Sequence, residues 1–340
     1  MKTNLQAKAA GKIVRFYELG GPDVLKIEDT PSRELAKDEV RLKVQAMGLN
    51  RAEHLFMHGQ YFEPTHLPAL LGYEASGIVI AIGANVDPRW LNKSVSTIPA
   101  FSMNQHGMLG TEVVVPALAL VEHPSHLTPI EATSIWMQYM TAYGALIEFG
   151  QVNKGEFVLI TAASSSAGLA AIETVKAEGA ISIATTRTRA KRDELIKLGA
   201  DHVIVTDEED FVARVKDITS GAGARIIFDA IGGPQVEKLA EAAAPGATLY
   251  LYGLLAGAQT PLPLMLAFQK ALTFRGYWLM EILISPERFA RAKSYVYSRV
   301  KSGQFKPKIA KTFRFEDVAE AYRYMESNQQ IGKIVLTVDA

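Results

Sequence analysis

From Gly155 onward, apolar runs the length of a β-strand alternate with segments of helical period, and this pattern limits the possible folds more than any other feature. The predicted strands are 157–162, 181–185, 202–205, 225–229 and 248–252. In the first segment between strands, Leu169 and Ile172 share one helical stripe, and Gly179 and Gly199 stand where helices end. The alternation predicts a doubly wound parallel sheet with helices on both faces.

The segments before and after this region have a different sequence pattern. Residues 12–129 contain short apolar runs separated by glycine and proline, which is typical of a strand-rich domain. Beyond residue 274 only two helices, 286–300 and 315–328, and a strand, 333–338, are expected, too few for a domain of their own. Since 340 residues favour about two domains, we predict a discontinuous domain of 1–132 and 276–340 with an inserted domain of 133–275.

Charge and composition narrow the function. The 36 basic and 36 acidic residues balance, which argues against nucleic acid or an anionic membrane as the main partner. Absence of cysteine excludes disulfides and every thiolate zinc site. The first twelve residues lack the apolar core of a signal peptide, and the longest apolar stretch, near 70–82, is interrupted by Glu74. A cytoplasmic protein is expected.

The first predicted strand of the alternating region runs into a turn of small residues that opens a helix. Backbone amides at such a helix N-terminus can face a pyrophosphate, but only the last glycine of the usual G-x-G-x-x-G is kept. A helix cap made of serines is the alternative reading of the turn alone. The candidate cofactor-binding residues here are Ser165, Ser166, Ala167 and Gly168.

The second predicted strand ends about 20 residues after this turn, where dinucleotide-binding folds place the residue that contacts the adenosine ribose. Thr186, Arg187 and Lys191 follow there, and no acid stands among them to accept from a 2′-hydroxyl. Hydroxyl and cationic donors favour a 2′-phosphate, and hence NADPH over NADH. The alternative is that the cations only precede the next helix, a place where its dipole disfavours them.

Several motifs together resemble the medium-chain dehydrogenase/reductase superfamily, and within it the zinc-independent quinone oxidoreductase (zeta-crystallin-like) group. They are Gly20-Gly21-Pro22-Asp23-Val24-Leu25, Leu71-Gly72-Tyr73-Glu74-Ala75-Ser76-Gly77, Met140-Thr141-Ala142-Tyr143, Phe228-Asp229-Ala230-Ile231-Gly232-Gly233 and Gly332-Lys333-Ile334-Val335-Leu336. The resemblance implies a GroES-like strand-rich catalytic domain with an inserted Rossmann domain. It also implies a homodimer or homotetramer, with the last strand of the sheet and a subunit contact near Arg275 and Tyr277-Trp278.

Zinc enzymes of the superfamily hold their catalytic metal at places that correspond here to Asn50, Tyr73 and Met137. None of these side chains is a thiolate or imidazole ligand, and the four cysteines of a structural zinc are missing, so we expect no zinc. His54 and His58 are read as ordinary surface histidines because no third ligand accompanies them.

The resemblance also assigns residues around the nicotinamide. Asn50 occupies the position of an asparagine that lines the family's substrate pocket, and Tyr61 matches one of the two tyrosines there. Leu55 stands at the position of the other tyrosine, and Glu53 stands where the family carries an acidic residue. The nicotinamide is expected in a cleft between the domains, near Asn50. Further cofactor contacts are expected from Thr141, Asp229, Tyr252, Gly253 and Leu254.

These assignments predict hydride transfer from NADPH to a quinone, enone or enal, with Asn50 and Tyr61 donating hydrogen bonds to the developing oxyanion. One alternative is an enoyl-thioester reductase, which needs basic side chains near the mouth of the cleft to hold the phosphates of CoA or a carrier arm. The sequence does not place Arg51 or Lys270 there. Another is a non-catalytic NADPH-binding redox sensor or structural protein.

Overall fold

The computed structural model describes residues 9–338, with side chains from Gly11. The chain divides into two compact units, one up to Met137 together with Ile309 onward, the other Gln138–Lys308. The second boundary lies some thirty residues beyond the predicted 275/276, because the helix around 286–300 bonds to the second unit. Tyr295 and Arg299 both donate to Glu178, at 2.7 and 2.8 Å.

The first unit is rich in short strands. Its elements are β1 (Ala9–Phe16), β2 (Lys26–Pro31), β3 (Glu39–Gly48), α1 (Arg51–Met57), β4 (Ala69–Leu70), β5 (Glu74–Ile82), β6 (Ser94–Thr97), β7 (Glu112–Pro116), β8 (Leu120–Glu122), α2 (Pro129–Ala132), the first residues of α3 (Trp136–Tyr143), β15 (Ile309–Arg314), α11 (Val318–Glu326) and β16 (Lys333–Thr337).

Two sheets organise this unit. A seven-stranded sheet runs in the order β15-β16-β3-β5-β6-β8, with β7 also paired to β3, and a three-stranded sheet runs β2-β1-β4. Inward residues of β3 such as Leu42 and Met47 meet Phe16 and Phe56 in a core of fully buried side chains. The pairing of β16 with β3 brings Val335 opposite Gly48, so the end of the chain closes the unit.

The second unit alternates strands and helices, as the sequence predicts. After α3 and a π-helical turn, Gly144–Phe149, it contains β9 (Phe157–Ile160), α4 (Ser166–Ala177), β10 (Ile181–Thr186), α5 (Arg192–Lys197), β11 (His202–Val205), α6 (Phe211–Ile218), β12 (Ala224–Asp229), α7 (Val236–Ala242), β13 (Ala243–Leu251), α8 (Leu264–Lys270), β14 (Thr273–Gly276), α9 (Met280–Leu283) and α10 (Pro286–Lys301).

Its six strands are parallel and run in the order β11-β10-β9-β12-β13-β14. Leu159, Ile183, Ile204, Ile227 and Leu249, one from each of the first five strands, form the core on one face. The chain reverses its direction of winding between β9 and β12, and ligands of such sheets bind beyond the carboxyl ends of the strands at this point. The α/β fold with a doubly wound sheet is thereby confirmed. Among the described residues, no helix has the length and apolarity to cross a membrane.

Candidate active site

The turn after β9 leads directly into the N-terminus of α4. Ser165 is the N-cap of α4, and its Oγ accepts from the backbone N–H of Gly168 at 3.0 Å. A Cβ on Gly168 would lie 2.6 Å from the Cα of Ala163, so only glycine lets the helix start this close to the strand. Ser166 and Ala167 form the first turn. Their backbone amides and the positive end of the helix dipole can receive a pyrophosphate.

Two cationic side chains, Arg187 and Lys191, follow the end of β10. Lys191 Nζ donates to Ser164 Oγ at 3.0 Å, and burial together with the nearby charge of Arg187 lowers the pKa of Lys191. Arg187 is exposed and has no carboxylate partner among residues 9–338, whereas Arg189 is bonded to Glu208 at 2.7 Å. Thr186 closes the strand and is buried. An anion of charge minus two would relieve the repulsion between Arg187 and Lys191.

Asp229 holds together the turn after β12. Its Oδ1 accepts from Thr161 Oγ1 at 2.6 Å and its Oδ2 from the backbone N–H of Gly232 at 2.8 Å. Burial raises the pKa of Asp229, and these donors act in the opposite direction. The carboxylate thus links the ends of β9 and β12 at the reversal of the sheet. Its expected contact with a cofactor stays a prediction.

The other expected cofactor contacts lie in two places. A Cβ on Gly253 would lie 2.4 Å from the carbonyl oxygen of Ala230, so glycine permits the segment after β13 to run against the turn after β12. Tyr252 stacks on Phe228, with ring centres 4.0 Å apart, and Leu254 is largely exposed. Thr141 lies buried on α3.

In the first unit, a polar cluster is buried around Asn50. Lys333 Nζ donates to Asn50 Oδ1 at 2.6 Å and to Glu74 Oε2 at 2.5 Å. Asn50 Nδ2 is directed at Glu74 Oε2 (3.1 Å), Glu53 Oε1 (3.2 Å) and the carbonyl of Gly48 (3.2 Å). A Cβ on Gly48 would lie 2.8 Å from Lys333 Cε, so glycine makes room for the lysine.

Glu53 is the second carboxylate of this cluster and is fully buried. It accepts from the backbone N–H groups of Asn50 (2.9 Å) and Tyr73 (3.0 Å) and from Tyr322 Oη (2.6 Å). Burial raises the pKa of Glu53, while the bonds from Tyr322 and Asn50 counteract this rise. These donors offset part of the cost of burying the carboxylate.

Asn50, Tyr73 and Met137 surround the two carboxylates, since Tyr73 N–H bonds to Glu53 and Met137 N–H to Glu74 at 2.9 Å. Neither a thiolate nor an imidazole is present at these places, and the ammonium of Lys333 would repel a divalent cation. Within residues 9–338, no three histidine, aspartate or glutamate side chains form a group that could hold a metal. The donor set does not fit zinc.

His54 on α1 and His58, the residue that caps the end of α1, both have protein partners. His54 Nε2 lies 3.0 Å from Glu326 Oε1, and His58 Nδ1 lies 2.8 Å from the carbonyl oxygen of His54. Burial lowers the pKa of His54, which favours its neutral form. His54 thus links α1 to Glu326 of α11, whereas His58 bonds back to the last turn of α1 itself.

Tyr61 and Tyr73 form a pair that the sequence analysis missed. Their ring centres lie 6.3 Å apart, and a hydrogen bond between the phenols contributes to raising the pKa of Tyr73, after burial. Tyr73 is buried and also packs against Phe101, with ring centres 5.8 Å apart. The sequence feature that could have indicated this pair is Tyr73 itself, a tyrosine at a position where zinc enzymes carry a metal ligand. Leu55, at the position of the family's second tyrosine, lies on α1.

Comparison with known proteins agrees with these features. The family described as "Alcohol dehydrogenase GroES-like domain" matches residues 36–125, and "Zinc-binding dehydrogenase" matches residues 167–294. The "Synaptic vesicle membrane protein VAT-1 homolog" of Rattus norvegicus is 30% identical, over 93% of this chain and 81% of that protein. A "2-haloacrylate reductase" of a Burkholderia species is 27% identical, over 96% of this chain and 98% of that protein.

Among solved structures, Escherichia coli quinone oxidoreductase complexed with NADPH has a TM-score of 0.87 and 26% identity, over 96% of this chain and 99% of that chain. The chain belongs to the medium-chain dehydrogenase/reductase superfamily and is an oxidoreductase of that family. The resemblance stated from the sequence motifs is confirmed.

Proposed function

We propose that this chain is a zinc-independent, NADPH-dependent reductase of quinones or α,β-unsaturated carbonyl compounds. The observation that carries the proposal is the pair of cations after β10. Arg187 is exposed, and Lys191, whose pKa is lowered by burial and by the charge of Arg187, donates to Ser164 in the turn that leads to the N-terminus of α4. The solved E. coli relative, a quinone oxidoreductase with NADPH bound, supports the same cofactor.

The residues after β9 and β10 fit this cofactor. The N-terminus of α4 would hold the pyrophosphate, and Arg187, Lys191 and Thr186 would hold the 2′-phosphate. Charge-assisted hydrogen bonds from a guanidinium to a phosphate are stronger than neutral ones, so NADPH should bind better than NADH. When bound, the cofactor supplies a hydride.

The chemistry of the first unit supports this acceptor class. Without a Lewis acid, an alcohol or a simple ketone gains little polarisation of its oxygen. A quinone or an enone becomes a hydroquinone anion or an enolate, charges that hydrogen-bond donors can stabilise. The Burkholderia relative, named for reducing an unsaturated acid, supports such acceptors.

In this proposal Tyr61 donates a hydrogen bond to the oxygen on which negative charge develops. Asn50 was expected to donate as well, but its amide hydrogens are directed at carboxylates and a carbonyl. Its role as a direct donor stays a prediction; in this arrangement it orders the buried polar cluster. Solvent supplies the proton that completes the reduction.

The proposal is tested by following NADPH oxidation with a quinone, an enal, a 2-enoate and an enoyl-CoA. Turnover of a quinone, an enal or an enoate, with a lower KM for NADPH than for NADH, is expected. Tight NADPH binding without oxidation by any acceptor would overturn the proposal in favour of a non-catalytic binder.

The thioester alternative is disfavoured by the partners of its two candidate cations. Lys270 Nζ donates to the carbonyls of Ala240, Glu241 and Ala243 at 2.7–3.0 Å, and Arg51 Nη2 donates to Met325 O and Asn328 Oδ1. Binding a phosphate would require either side chain to give up some of these bonds. Turnover of enoyl-CoA alone would reverse this preference.

A further inference from the structure

The amide of Asn50 is oriented away from any role as the main donor to an acceptor. Its Oδ1 receives the ammonium of Lys333, which fixes the side chain against a flip. Its Nδ2 is then directed at Glu53, Glu74 and Gly48. Donation to an acceptor would leave a buried carboxylate with one donor fewer, which is unfavourable. The phenols close to this cluster are therefore the better donors.

Tyr73 is held at both ends. Its backbone N–H donates to Glu53 at 3.0 Å and its carbonyl accepts from Thr97 Oγ1 at 3.1 Å, while its ring packs against Phe101. The phenol consequently has a fixed position next to Tyr61, which is only partly buried. The buried phenol of Tyr73 and the more accessible phenol of Tyr61 can therefore form a chain of hydrogen bonds that leads towards an acceptor.

We propose that Tyr73 is a positioning residue for the reduction, whose phenol donates to Tyr61 Oη and so strengthens the hydrogen bond that Tyr61 gives to the acceptor oxyanion. The inference rests on the proposed function. It adds to the site a residue at a place where zinc enzymes of the superfamily carry a metal ligand.

No proton leaves Tyr73 in this scheme. Burial is the main cause that keeps the pKa of Tyr73 far above its ordinary value, so its O–H persists throughout the reaction. Hydrogen bonds in a chain polarise one another, and the Tyr61 O–H becomes a better donor when its oxygen accepts from Tyr73. The hydride comes from the cofactor and the proton from solvent.

A double-mutant cycle of Tyr73→Phe and Tyr61→Phe tests the inference with the acceptor that gives the highest turnover. Tyr61→Phe should lower kcat by about a hundredfold, as loss of a direct oxyanion donor does. Tyr73→Phe should lower kcat by about five- to tenfold, the worth of one hydrogen bond, with KM for NADPH and Tm unchanged. In the Tyr61→Phe background it should have no further effect.

Tyr17→Phe is the matched control, because the Tyr17 phenol donates to Glu28 on the exposed surface, and it should behave as wild type. A Tyr73→Phe variant with wild-type kcat, or one whose loss is the same with and without Tyr61, overturns the inference and leaves the proposed function intact. A wild-type protein that reduces no acceptor overturns both.

Discussion

The ammonium of Lys333 lies 2.6 Å from Asn50 Oδ1 in a site from which solvent is excluded. The two residues are 283 positions apart, and the antiparallel pairing of β16 with β3 brings them together. The lysine neutralises Glu74 and fixes the amide of Asn50. A cluster that holds its own internal cation in this way has no place for a second one.

Lys333→Met should destabilise the first unit strongly. Removal of the ammonium leaves Glu74 buried without its counter-charge, a loss of about 3–5 kcal/mol for a broken buried pair. Urea unfolding followed by near-UV signals measures this. Lys93→Met is the control, because its pair with Glu122 is exposed and contributes at most about 1 kcal/mol. Equal effects of the two substitutions would contradict the structural role of Lys333.

Stability of the second unit should depend on pH through Glu173. Burial, the main cause, raises the pKa of Glu173 to about 7, and Tyr139 Oη donates to it at 2.5 Å. Because the folded-state pKa exceeds the unfolded one, the stabilisation is present at low pH and is lost as the pH rises through about 7.

Glu173→Gln should remove most of this slope between pH 5 and about 7, worth up to about 3 kcal/mol. The measurement is the urea midpoint at several pH values. Glu237→Gln, at an exposed position of α7, should leave the slope unchanged. A slope that persists in Glu173→Gln would assign the pH dependence to other groups.

Arg187→Ala should weaken NADPH far more than NADH, by about 1.5–3 kcal/mol, because a charge-assisted bond to the 2′-phosphate is lost. Isothermal titration with both dinucleotides measures the difference. Arg189→Ala serves as the control, since Arg189 is already bonded to Glu208. The same loss for NADPH and NADH would remove the argument for a phosphate site at this place.

Chelators should leave activity unchanged. The places of the zinc ligands hold Asn50, Tyr73 and Met137, and Lys333 adds a positive charge beside them. Prolonged dialysis against EDTA followed by assay, with a zinc-dependent alcohol dehydrogenase treated in parallel, makes the comparison. Inactivation that added zinc reverses would show that the reading of the ligand positions is wrong.

We also predict a homodimer or homotetramer that forms through the last strand of the parallel sheet. β14 lies at an edge of that sheet, and the preceding α8 exposes Leu264, Met265 and Phe268. Unpaired edges and exposed apolar side chains favour association. Light scattering should show Phe268→Asp shifted towards the monomer, with Leu118→Asp of the first unit unchanged; a monomeric wild type would contradict this.

Much of the fold could be predicted from the chain because its strands are short apolar runs with clear ends. β9, β10 and β12 lie within a few residues of their predicted bounds. β14, Thr273–Gly276, contains Arg275, where the resemblance rather than an apolar run placed the last strand of the sheet. The domain boundary near 308 depends on which unit α10 packs against, which local sequence does not encode.

The cofactor residues of the second unit could be predicted from local sequence, whereas the polar cluster around Asn50 in the first unit could not. Arg187 directly follows β10, and Ser165 and Gly168 lie at the start of the helix that follows β9. Local sequence was therefore sufficient to predict that they lie at the same edge of the sheet. Lys333 and Tyr322 reach Asn50 and Glu53 only through pairing and packing of distant segments. Tyr73 lies beside Tyr61 because of the path that the chain follows after β4, and no local sequence pattern predicts that path.

Transfer of deuterium tests the central claim most directly. The protein is supplied with NADPH deuterated on the nicotinamide carbon that loses hydride, together with an enal or enone and EDTA, and the product is analysed by NMR. We predict deuterium on the β-carbon of the saturated product, with Arg187→Ala slowed at limiting NADPH. Product without deuterium at that carbon, or no product until zinc is added, would contradict the account.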